Sequence, residues 1–220
     1  MYLFTIFLIF VEADLGIEVY VVESDATITD ADKACAKTGM KDMCERNQVE
    51  FLNLRKIKET VNMPIVDGEV LGKINVPRIA ESAVISAAKL KTHSNTGVTL
   101  GVKNMFGLLL DKFKGKYHAM GISKVIVGVN TALKPALTVM DGFVGMEGVG
   151  PINGKPVQMD LILAGKNIVA TDATACRVMD IDPHEIKHIR KAHEKGMGAI
   201  DDVNVLGEKI ENVKRRFEQA

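Results

Sequence analysis

Short, apolar, β-branched runs alternating with helical stretches constrain this chain more than any other feature of its sequence. Ile17–Val22 (IEVYVV), Val49–Leu54, Ser82–Ala88 (SAVISAA), Ala136–Met140 and Asp160–Ala164 (DLILA) are short and bounded by polar or glycine-bearing segments, so they read as buried strands. Between them, Asp30–Cys44 has helical composition, with Gly39 as an interruption or cap. From Thr96, the residues Val98, Val102, Met105, Phe106, Leu109 and Leu110 share one helical face, and Ile122–Leu133 repeats its apolar positions at three- and four-residue steps. Thr171–Met179 and Pro183–Glu194 read as further helices, the second opened by its proline and closed by Gly196 and Gly198. Glu69–Val76, followed by Pro77, reads as an edge strand or hairpin arm, and Val203–Leu206 as a last short strand before a C-terminal helix. The alternation predicts an α/β fold: a mostly parallel sheet flanked by helices, as a single domain over 16–220.

Residues 1–15 read as an apolar leader or truncated element. Its first ten residues, MYLFTIFLIF, have no basic start, and Glu12 and Asp14 follow at once. A spanning helix needs about 20 apolar residues. The leader is therefore expected to be a buried element rather than a membrane anchor. Lys and Arg number 28 and Asp and Glu 28, so no net field recruits nucleic acid or an anionic membrane surface. The densest basic run, Lys214–Arg216, reads as a solvated helix face. Cys35, Cys44 and Cys176 form no CxxC pair and no secreted-type framework, which predicts reduced thiols and a cytoplasmic location. Three cysteines in one chain cannot supply a tetrathiolate iron–sulfur cluster.

Three polar segments follow predicted strands: Lys89–Gly97, Asp141–Gly150 and Gly165–Asp172. Open α/β sheets bind ligands beyond the carboxyl ends of their strands, so these segments predict one shared pocket. Lys91, His93 and Lys103 are its candidate catalytic residues. The lysines would neutralise an anionic substrate, and the imidazole would move a proton or bind metal. Asn104, Gly148 and Gly150 are candidate cofactor contacts, the glycines letting backbone N–H groups approach an anion. His93, His118, Asp141 and Asp172 are candidate ligands for a divalent metal. Asp172, read in the first turn of its helix, also suits the helix dipole.

The sequence has no GxxxxGK[ST] phosphate loop and no GxSxG nucleophile elbow. His184-Glu185-Ile186-Lys187-His188 does spell HExxH. Zinc chemistry there needs a third ligand and a buried cleft, whereas Arg190, Lys191 and His193 give this helix a solvated character.

The segments KLKTHSNTGVTLGVKNMFGLL, His118, LTVMDGFVGMEGVGPINGKP, LILAGKNIVATDATACRVMDIDP and GMGAID, in this order over 82–202, resemble the domain-of-unknown-function 362 family. The resemblance implies that Lys91, His93, Lys103, Asn104, His118, Asp141, Gly150 and Asp172 occupy the family's characteristic positions. Asn167 and Asp180 depart from it, standing where the family tends to have Asp and Gly. Some members carry ferredoxin-type cysteine motifs beside this domain; this chain has none, so a bound cluster is not carried over.

Three functions are compatible with these residues. The first is a metal-assisted enzyme acting on a small anionic substrate. The second is a non-catalytic redox or assembly partner of an iron–sulfur protein. The third is a small-anion or nucleotide binding module built on the Gly142–Gly154 backbone.

Overall fold

The computed structural model describes residues 18–25, 29–111 and 113–220. The 1–15 leader, and Ile17 of the first expected strand, lie outside the described residues. The chain opens with a parallel pair, β1 (Tyr20–Glu23) and β2 (Glu50–Asn53), joined through α1 (Ala31–Lys37) and α2 (Met40–Arg46). The predicted helix over 30–44 is thus two helices. Gly39 breaks it with φ +77°, a left-handed conformation that glycine adopts without a Cβ penalty. Val21, Cys35, Met40, Cys44 and Val49 bury one another in a small core beneath this unit.

A hairpin of β3 (Thr60–Pro64) and β4 (Lys73–Pro77) follows, so Pro77 ends an edge strand as its chemistry requires. The central sheet has the order β6-β5-β7-β8, built from β5 (Ile85–His93), β6 (Gly97–Val98), β7 (Leu137–Glu147) and β8 (Lys155–Gly165). β5 and β7 run parallel, but β6 and β8 are both antiparallel to their neighbours. The sheets are therefore mixed and mostly antiparallel, not the mostly parallel sheet that the alternation suggests. The reason is connection length. A parallel return needs a crossover of about a dozen residues or more. The turns at 94–96 and 148–154 are too short for one, so they fold back as hairpins.

Helices α3 (Leu100–Asn104) and α6 (Ile168–Val178) pack on this sheet, and α5 (Ile122–Ala132) and α7 (Lys187–Glu194) pack on α3 and on each other. Leu90, Leu100, Val102, Ile126, Met140, Val169, Cys176 and Ile189 meet in the main core. α4 (Lys116–Ala119) and α8 (Ile210–Val213) are single turns. The expected strand at 203–206 is irregular chain, and the expected helix over 183–194 breaks at Ile186 into a 3-10 turn and α7. Residues 215–218 then strap this end of the molecule. Arg215 N–H donates to Val178 O at 2.9 Å, Phe217 N–H to Met179 O at 3.1 Å, and Gly148 N–H to Glu218 O at 2.7 Å. Buried Phe217 lies against Gly145, where a Cβ would stand 3.1 Å from its ring.

α3 is the element on which the others converge: β5, β7, α5, α6 and α7 all contact it. Gly101 permits that approach, because a Cβ there would lie 2.7 Å from Thr138 Cγ2 and 2.8 Å from Asp172 Oδ1. Gly101→Ala is accordingly expected to destabilise the protein by about 1–3 kcal/mol through overpacking. Urea unfolding should show this as a lower midpoint at unchanged slope; a midpoint equal to the parent's would refute the tight seating of α3.

Candidate functional site

β5 carries charge into the sheet, beyond the predicted strand end at Ala88, because its first lysine is neutralised inside the ladder. Lys89 pairs with Asp141 across the parallel ladder, Nζ to Oδ2 2.5 Å, with 13% and 5% of the two side chains exposed. Asp141 also accepts from Phe143 N–H at 3.0 Å. Its carboxylate is thereby engaged by Lys89. After a register shift between Lys89 and Lys91, the strand continues through Lys91 to His93.

Here the charges are not balanced. Lys91 on β5 and Lys103 on α3 are both half-buried, and among the described residues no hydrogen bond or ion pair reaches either amine. Burial, followed by the charge of Lys103, lowers Lys91 to about 7, with Glu23 opposing. Burial, with the charge of Lys114, lowers Lys103 to about 8. Lys114 is itself lowered by burial to about 8, and its amine donates to Ser24 Oγ at 3.1 Å and Gly107 O at 3.0 Å. Glu23, at the end of β1, is the carboxylate that faces this group; burial raises it, against the pull of Lys114 and Lys91. A cleft between β1 and the start of β5, lined by Glu23, Ile85, Ser86, Asn104 and Gly107, adjoins the group through Glu23.

His93, 8% exposed, stands at the end of β5. Burial first, then the charges of Lys103, Lys91 and His118, lower it to about 3, so the ring is neutral. Its Nδ1 accepts from Asn95 N–H at 3.1 Å, which places the ring proton on Nε2 as a donor. His118 on α4 is exposed and within electrostatic reach of His93.

The remaining predicted residues are committed to the scaffold. Asn104 Nδ2 donates to Ala87 O at 3.1 Å and Ser86 Oγ at 3.3 Å, tying α3 to β5. Gly148 and Gly150 turn the β7–β8 hairpin, and their N–H groups are bonded to Glu218 O and Gly148 O, both at 2.7 Å. Their carbonyls clasp the end of β5, Gly148 O accepting from Thr92 Oγ1 at 2.9 Å and Gly150 O from Ser94 N–H at 3.0 Å. Gly150 can hold no side chain, since a Cβ would lie 2.1 Å from Thr92 O.

Asp172 is fully enclosed, and each carboxylate oxygen accepts one N–H of α3, Gly101 and Val102, both at 2.8 Å. It does not lie in the first turn of its own helix, because α6 starts earlier, capped by Asn167 Oδ1 on Ala170 N–H at 2.9 Å. Among the described residues, no three His, Cys, Asp or Glu side chains approach closely enough to hold a metal ion. His93, His118, Asp141 and Asp172 do not form a ligand set. HExxH does not assemble either: His184 bonds Asp201 at 3.1 Å outside α7, while His188 is enclosed within it.

Lys114, Glu23 and His188 belong to this neighbourhood; the sequence does not single out the first two, and marks His188 only as part of HExxH. Lys114 lies in irregular chain with no period to mark it. His188 is fully buried, its two ring nitrogens have no hydrogen-bond partner, and burial with the charges of Lys103 and His93 lowers it to about 3.

A family model described as "Domain of unknown function (DUF362)" matches residues 7–177. The chain is 31% identical over 120 residues to the thylakoid-associated protein sll1697 of Synechocystis sp., covering 52% of this chain and 37% of that relative. The chain thus spans well under half the length of that curated relative. No solved structure matches. Among the described residues, no helix is long and apolar enough to cross a membrane.

Asp172→Ala should lower stability by about 1–3 kcal/mol at low pH, since the enclosed α3 N–H groups lose their acceptor. Enclosure raises Asp172 to about 7, above its unfolded value, so this carboxyl favours folding at low pH and the benefit is lost as pH rises through about 7. The gap between parent and variant is expected to narrow from pH 4 to pH 7 in urea titrations. A gap that widened over that range would contradict the buried capping role.

Proposed function

Because this chain belongs to the domain-of-unknown-function 362 family, whose description names no reaction, we propose a function from the site itself: it binds a small anionic molecule, best a dianion, through Lys91, Lys103 and Lys114. The observation that carries this reading is half-buried positive charge that no carboxylate bonds among the described residues, Glu23 offsetting it only in part. Two half-buried amines have no partner among the described residues, and a third is bonded only to neutral oxygens. Desolvated cations crowded together raise the energy of the empty site. A dianion removes that cost and would accept charge-assisted hydrogen bonds from the amines. The neutral His93 ring adds an Nε2–H donor at the same strand end. A phosphate ester or a small dicarboxylate has the right charge.

Lys91, at about 7, would exchange a proton near neutrality, which suits a general acid or base once an anion is seated beside it. The metal-assisted version of this reading draws no support from the ligand geometry, since the candidate ligands are dispersed or bonded elsewhere. The partnership with an iron–sulfur protein and the cytoplasmic location remain separate proposals. The relative's thylakoid association offers a different location to test by fractionating cells.

Calorimetric titration with oxalate and with inorganic phosphate tests the reading. The parent is expected to bind at least one, and Lys91→Gln or Lys103→Gln to weaken binding about tenfold or more, roughly the worth of one charge-assisted hydrogen bond. The lysines' folded values lie below the ordinary lysine value, so oxalate affinity should fall as pH rises from about 7 to 9 and the amines deprotonate. No binding by the parent, or affinity that climbs over this range, would discard the reading.

A further inference from the structure

His188 is the least explained polar group among the described residues. It lies on α7 with 0% of its surface exposed, and neither Nδ1 nor Nε2 has a hydrogen-bond partner. A neutral imidazole offers one donor and one acceptor, and leaving buried polar groups unmade costs more than removing them altogether. Its position is defined by its neighbours. Ile186, two residues earlier, lies over the β5–β6 hairpin, its Cδ1 2.7 Å from where a Cβ of Gly97 would stand. Gly97 is the ladder partner of His93. α3, which carries Lys103, also contacts α7. The charges of Lys103 and His93 both reach the His188 ring.

The surroundings of α3 repeat the pattern. Thr99 Oγ1 at its start, Asn130 Oδ1 on α5 and Thr138 Oγ1 on β7 are likewise buried without partners. Thr138 packs on Gly101, and Asn130 Nδ2 donates to Val102 O at 2.7 Å. Residues with an unpartnered buried polar atom therefore surround α3 on several elements, and the charges named for His188 among the described residues are those of Lys103 and His93.

We propose that His188 is the inner wall of the anion site, its ring N–H hydrogen-bonding an oxygen of the bound oxyanion, directly or through one enclosed water. The inference rests on the anion-binding reading above and deepens it: the ligand is an oxyanion gripped from the interior as well as from the lysine side. His188 is then a binding residue that orients the anion. Its full enclosure strengthens any hydrogen bond made there.

The test uses the full chain and two readouts. Long-range nitrogen–proton NMR of labelled histidines should show the His188 ring nitrogens shifting when oxalate or phosphate is added. His188→Phe, which keeps the bulk and removes both nitrogens, should bind the same anion about tenfold more weakly. Its anion-free melting temperature should stay level or rise, because two unpaired groups have gone. His188→Gln, which retains a donor, should recover part of the affinity. Parent protein that binds oxalate with unmoved His188 signals, or His188→Phe that binds as the parent does, would overturn this inference and leave the anion reading standing. Parent protein that binds neither anion would overturn both. Should His188→Phe fail to fold, the NMR shifts of the parent decide alone.

Discussion

The carboxylate of Asp172 holds the structure around which the rest is arranged. α3 is only five residues long, too short to persist on its own, since helix nucleation is unfavourable and short helices are marginal in water. Its first N–H groups would be unpaired in the protein interior. Asp172 reaches from α6 to bond Gly101 and Val102, and Asn104 bonds back to β5. Those bonds fix the turn from which Lys103 projects. A carboxylate enclosed with two N–H donors is costly to bury, and the cost places Lys103 beside Lys91 and His93.

Two buried solutions to the same electrostatic difficulty stand close together on β5. Lys89 and Asp141 neutralise each other within the ladder, and the sheet simply continues through them. Two positions later Lys91 has no such partner among the described residues, and neither has Lys103. The contrast matters because scaffold and site are made of the same residue type in one strand. Pairing marks the first lysine as structural. The absence of pairing among the described residues leaves the second open to a ligand on the anion-binding proposal, while burial and the charge of Lys103 depress its proton affinity.

Much of this was legible in the sequence, and the failures have physical causes. α5 lies where its three- and four-residue spacing placed it, and Lys91, Lys103 and His118 each act electrostatically on His93. Strand direction was not legible from apolar runs, which look alike in either orientation. Connection length was the available signal: the glycine-rich stretch at 148–154 is a hairpin turn, and hairpins cost those glycines their free N–H groups. Asp172 shows the opposite problem. Its role depends on helix α3, some seventy residues away in sequence, and no local pattern encodes that distance. Asp180, where the family tends to have glycine, has φ +57° and an ion pair with Lys214. Aspartate tolerates that left-handed backbone better than most residues, so the departure is a mild one.

The strap at 215–218 gives the site a dependence that ordinary mutational scanning of its lining would overlook. Lys214, Arg215 and Arg216 are exposed, whereas Phe217 immediately after them is buried against Gly145. Glu218 holds Gly148, and Gly148 in turn holds Thr92, the neighbour of His93. A trypsin-like protease nicking this basic tripeptide would cut no residue of the site, yet would loosen the buckle behind its histidine. On the anion-binding proposal, limited digestion, ordinarily a tool for finding domain edges, would become a remote handle on affinity.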